Sequence, residues 1–97
     1  MQNLDIIKEV LHTHKPKLKE EYGVLELGVF GSYVRNEQIA LSDVDILVEF
    51  EKEIDLLAFV HLKSYLSELL GIHVDLVMKK ALKPNIGKRI LNEVVYA

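Results

Sequence analysis

The sequence predicts an α/β (α+β) domain, a small mixed sheet of about three to four strands covered by helices mainly on one face. Three observations carry that expectation. The runs VLELGVF, VDILVEF and IHVDLVM alternate with the two-residue period of half-buried strands. The stretches before, between and after them repeat their apolar residues every three or four positions, as helices do. The 97 residues suffice for one core and not for two, so residues 1–97 are read as a single domain.

Leu4, Ile7, Leu11, His14 and Leu18 form one stripe of the first helix, widened by Ile6 and Val10. Pro16 is expected to kink or split it near His14, because proline offers no N–H to the preceding turn. Gly23 then stops it in the left-handed conformation. In the first strand Leu25, Leu27 and Val29 alternate with Val24, Glu26, Gly28 and Phe30, ending at the Gly31-Ser32 turn. The second strand sets Val44, Ile46, Val48 and Phe50 on one face and Asp45, Leu47 and Glu49 on the other, with Asp43 at the parity of Asp45.

A helix over 55–70 carries Phe59, Leu62, Leu66 and Leu69 on one stripe, with Gly71 as its cap. The third strand follows, Ile72, Val74, Leu76 and Met78 alternating with His73, Asp75 and Val77. Pro84 suits the first turn of a last helix, whose apolar face is Ile86, Ile90, Leu91, Val94 and Val95, weakened by Gly87. The end of that helix, Val94 to Tyr96, is assigned to core packing.

Composition narrows the classes of function. A net charge of −3 provides no broad positive field, which disfavours direct nucleic-acid binding. With no cysteine, disulfides, thiolate metal sites and thiol nucleophiles are excluded. The N-terminus has a helical period and acids in place of a signal-peptide pattern, and no apolar run approaches the ~18 residues of a membrane span. The expected setting is cytoplasmic, with no membrane partner.

The chemistry concentrates where strands end. If the second and third strands are neighbours, Asp43, Asp45 and Asp75 converge on the face opposite the aliphatic parity. Carboxylates that close raise one another's pKa unless a cation compensates, and hard oxygen donors suit Mg²⁺ or Mn²⁺ better than zinc. A Gly-Ser turn between a strand and a short helix lets backbone N–H groups and a hydroxyl approach a phosphate. Alone, a Gly-Ser pair is an ordinary turn and an Asp-x-Asp at a strand mouth a solvated one. Their conjunction reads as a nucleoside triphosphate with its metals.

Gly31-Ser32, ten intervening residues, Asp43-Val44-Asp45 and a later strand aspartate in HVDLV resemble the signature of the DNA polymerase beta-type nucleotidyltransferase superfamily. Within it, GSYVRNEQIALSDVDILVEF and VDLVMKKALKPNIGKRILNEVVYA resemble the minimal nucleotidyltransferases, MntA-like antitoxins encoded beside HEPN-domain toxins. The resemblance implies metal-dependent transfer of a nucleoside monophosphate from a triphosphate. Asp43 and Asp45 would hold two Mg²⁺ ions (or Mn²⁺), Asp75 would complete the catalytic one and help activate the acceptor, and Gly31 and Ser32 would hold the β and γ phosphates. Arg35 would contact phosphate or acceptor, with surface pairing to Glu37 as its alternative, and Ser42 would cap a turn. Asn36 stands where many relatives carry glycine; asparagine tolerates positive φ better than most residues.

His73, at the parity of Asp75, is a further candidate ligand or base that the resemblance does not require. His12, His14 and His61 are read as surface or boundary residues, and Tyr33 as a shield for the site or a packing residue. So short a chain leaves little to enclose an acceptor, which points to a partner protein. The implied reaction moves AMP from ATP to a tyrosine of a HEPN ribonuclease toxin and silences it. Two alternatives stand beside it: an antitoxin that neutralises by binding alone, and a transferase for a small hydroxylated acceptor.

Overall fold

The Asn3 side chain accepts a hydrogen bond from the Ile6 N–H at 3.0 Å and so starts the first helix. The computed structural model describes residues 3–97. Its elements are α1 (Leu4–Tyr22), β1 (Val24–Phe30), α2 (Ser32–Arg35), β2 (Val44–Phe50), α3 (Leu56–Leu70), β3 (Val74–Met78), a 3₁₀ turn (Lys79–Ala81), α4 (Pro84–Glu93) and β4 (Val95–Tyr96). Among the described residues no helix is long and apolar enough to cross a membrane.

Pro16 does not split α1, which continues to Tyr22 and stops at Gly23 with φ 71°. The reason is tertiary. Ile7 and Leu11 before the proline and Leu18 after it are all fully buried in one core, so packing holds both halves to a common line despite the missing N–H. The second cap follows the same rules as the first. Asp55 accepts from the Ala58 N–H at 2.8 Å to begin α3, and Gly71 ends it at φ 67°.

The sheet has the order β3-β2-β1-β4. β1 is antiparallel to both β2 and β4, whereas β2 and β3 run parallel, joined through α3. One face carries Leu27, Val29, Val44, Ile46, Val48, Val74 and Leu76, packed against Ile7, Leu11 and Leu18 of α1 and Leu62, Leu66 and Leu70 of α3. Each such side chain taken fully out of water contributes about 1.5–3 kcal/mol before the entropy of ordering is set against it.

Two local readings of the sequence change. Leu25 leaves the core face and is 46% exposed, while Val24 is buried. A register shift between Val24 and Glu26 is the cause: an extra residue on β1 inverts the alternation at that point. Val95 and Tyr96 also leave the helix to form β4, paired with Val29 and Gly28. The helix therefore ends at Glu93. Its apolar face is only partly covered, with Ile86 59% exposed.

The second face holds Gly28, Phe30, Asp45, Leu47 and Asp75, by the pairings Gly28↔Leu47, Phe30↔Asp45 and Asp45↔Asp75. It is closed near its middle. Leu47 is 2% exposed, and Val94 lies so near Gly28 that a Cβ there would overlap it. The carboxylates stand at the end of that face where β2 and β3 begin.

Candidate active site

Parallel pairing makes Asp45 and Asp75 direct neighbours, which satisfies the condition on which the convergence of carboxylates depended. Asp45 is half-buried, and its carboxyl pKa is pushed up to about 6 by desolvation, by the charges of Asp75 and Asp43 and by a hydrogen bond to Asp75, against a smaller opposing pull from Arg35. Asp75 is exposed. Asp43, just before the strand, is also exposed, and its Oδ1 lies 3.2 Å from His73 Nδ1. His73 thus meets the first aspartate of the motif.

Gly31 sits directly against this pair. Its φ of 81° and ψ of −149° belong to a region that side chains strongly disfavour, and a Cβ on it would overlap Asp45 Oδ2. Ser32 opens the single-turn helix α2, which ends at Asn36 with φ 58°, the one non-glycine residue at positive φ among those described. The asparagine thus adopts the conformation for which glycine is the usual choice. Tyr33 is buried in the main core, which makes it a packing residue that anchors the turn.

Arg35 pairs with two carboxylates. Its Nε donates to Glu37 Oε1 at 2.6 Å, and its Nη1 donates to Glu93 Oε1 at 2.8 Å and Oε2 at 3.1 Å. Those two carboxylates raise its pKa further. Ser42 closes the loop, its Oγ accepting from the Ile39 N–H at 2.9 Å while its own N–H donates to Ile39 O at 3.0 Å. His14 bonds back to Val10 O within α1, and His12 and His61 remain on the helices.

The sequence pattern did not single out Glu93. Its Oε2 accepts from the Gly31 N–H at 2.8 Å while both its oxygens accept from Arg35 Nη1. Burial works against its charge, but Arg35 and the Gly31 N–H outweigh it and hold the carboxyl below its usual range. One signal was available: an acid in the last turn of a helix faces the negative end of the dipole, which implies a partner elsewhere.

Among the described residues no three histidine, cysteine, aspartate or glutamate side chains are already gathered as a metal-ligand group. The chemistry of the donors fits a divalent cation nonetheless. Asp43, Asp45 and Asp75 offer hard oxygens, and the repulsion that lifts Asp45 is what such a charge relieves.

The mixed sheet sets two strand carboxylates side by side against the Gly-Ser turn. The chain belongs to the nucleotidyltransferase domain family, whose model matches residues 11–97, and it is a nucleotidyltransferase. It is 55% identical over 96 residues to the protein adenylyltransferase MntA of Thermococcus cleftensis, covering 99% of this chain and 97% of that protein. A solved minimal nucleotidyltransferase superposes with a TM-score of 0.80 at 33% identity, over 97% of this chain and 95% of that one. A complex of a tri-AMPylated Shewanella oneidensis HEPN toxin with its MNT antitoxin shares the fold, with a TM-score of 0.65 at 21% identity over 92% of this chain and 70% of that one.

Proposed function

We propose that this chain is a protein adenylyltransferase that moves AMP from ATP onto a tyrosine hydroxyl of a HEPN-domain toxin and so acts as its antitoxin. The observation that carries the reading is the Asp45–Asp75 pair facing one another across β2 and β3, with Gly31 packed on Asp45. The likeness to MntA and to the fold of an antitoxin bound to an AMPylated toxin supports the substrate class.

In this reading the acceptor oxygen attacks the α-phosphorus, an O–P bond forms, the bond to the β-phosphate oxygen breaks, and pyrophosphate leaves. Asp75, exposed at the mouth of the site, takes the acceptor's proton. Asp43 and Asp45 would hold two Mg²⁺ ions, with Asp75 completing the catalytic one; bound there, they supply charge neutralisation at the attacking and leaving oxygens. Gly31 brings backbone within reach of the β and γ phosphates, and the Ser32 hydroxyl adds a donor beside it. With side chains left to position and neutralise, the acceptor arrives on the partner. An adenylate on a ribonuclease would repel RNA phosphate by charge and bulk.

The test is transfer of label from α-labelled ATP in Mg²⁺ to the HEPN protein encoded beside this chain. Label on a toxin tyrosine, lost in Asp43→Ala plus Asp45→Ala, is the expected result. Protection of the toxin without label, retained by that double variant, would instead establish neutralisation by binding.

A further inference from the structure

We propose that Glu93 is a positioning residue for the Gly31–Arg35 turn, so that the C-terminal helix sets the geometry of a site to which it contributes no reacting group. The carboxylate reaches the turn from 62 residues away and ties down both of its ends, the Gly31 N–H at 2.8 Å and the Arg35 guanidinium at 2.8 and 3.1 Å. Its side chain is 19% exposed, so these contacts are partly shielded from water.

Two features show that the turn needs such a tie. Gly31 adopts a conformation open to glycine and closed to side chains, so its own backbone does not fix it and its surroundings must select it. It also sits between Asp45 on one side and Glu93 on the other, with no room for even a Cβ beside Asp45 Oδ2. Displacement of Gly31 therefore displaces the surface on which Asp45 rests. α2 is a single turn of four residues whose own backbone bonds use the Gly31 and Ser32 carbonyls, with the Gly31 N–H given to Glu93. Tyr33 anchors its middle in the core, and Glu93 anchors its start and finish.

Arg35 is the other half of the clamp, its Nη1 bonded to Glu93 and its Nε to Glu37. The consequence for nucleotide rests on the proposed function: a turn that holds the β and γ phosphates, once loosened, weakens a triphosphate and leaves a monophosphate unaffected.

The test compares ¹⁵N-labelled wild type, Glu93→Ala and Glu93→Gln by amide hydrogen exchange, and measures dissociation constants for Mg·ATP and AMP by calorimetry. Loss of one hydrogen bond to a charged group should speed Gly31 exchange about tenfold or more in Glu93→Ala. Glu93→Gln, whose amide oxygen still accepts from Gly31, should lie between. The Mg·ATP constant should rise about tenfold in Glu93→Ala with AMP unchanged. Unchanged Gly31 exchange overturns the proposal, as does tighter Mg·ATP binding, which would make Glu93 a competitor of phosphate. Equal weakening of ATP and AMP, with faster exchange throughout α4 and β4, also overturns it, because Glu93 would then only dock the helix. If Glu93→Ala does not fold, Glu93→Gln decides by the same readouts. Faster Gly31 exchange in a chain whose wild type binds no ATP would uphold the clamp and sink the nucleotide reading.

Discussion

Asp45 and Asp75 are partners in the parallel register of β2 and β3, and burial together with the charges of Asp75 and Asp43 pushes the Asp45 carboxyl pKa up to about 6. The fold therefore holds Asp45 in a state that is costly when ionised and useful when a cation is present.

The sign of the pH effect follows. The folded-state pKa of Asp45 lies above its ordinary 3.8, at about 6, so its favourable contribution is complete below about pH 4 and is lost as the pH rises through 6. In EDTA, the stability of wild type relative to Asp45→Asn should fall across that window. At pH 7 the variant should be the more stable by about 1 kcal/mol after allowance for solvent screening, or roughly 4–8 °C in Tm. A flat difference from pH 4 to 7 would contradict this.

Mg²⁺ should reverse that order. Binding to the folded state alone raises stability with concentration, so millimolar Mg²⁺ at pH 7 should raise the wild-type Tm and leave Asp45→Asn in place. Asp45→Asn should also abolish nucleotide transfer while its circular dichroism stays that of wild type.

Gly31→Ala tests the close approach to Asp45. A methyl group there meets both a disfavoured φ of 81° and the Asp45 carboxylate. The expected cost is about 1–3 kcal/mol of stability by chemical denaturation, with transfer lost beyond what that cost explains. Ser32→Ala, with no such overlap, should lower transfer at wild-type stability.

Pro16→Ala asks whether packing alone carries α1 past the proline. Restoring the N–H and removing the ring should stabilise the chain by about 1 kcal/mol or more, read as a higher denaturant midpoint at unchanged slope. A loss would show that the ring has a packing role of its own.

The readings that hold rest on short-range patterns. VDILVEF became a strand on the parity expected of it, and so did the VDLVM part of IHVDLVM, with Ile72 and His73 left outside, because alternation is a property of consecutive residues and needs no knowledge of neighbours. Gly23, Gly71 and Pro84 marked helix ends by their own backbone chemistry. Leu25 was misread because a bulge is created by pairing with β2, and Val95 because two residues become a strand only where an edge of β1 accepts them.

What the sequence determined by itself is therefore the strands β1 to β3 with the long helices around them, the class of the fold and the trio of aspartates with their Gly-Ser turn, since each is written in local spacing. Tertiary structure alone decided that Asp45 and Asp75 are adjacent, that Pro16 leaves α1 whole, and that Glu93 closes on Gly31 and Arg35. Those outcomes depend on contacts between residues far apart in the chain, whose energies come from packing and pairing that no local period records.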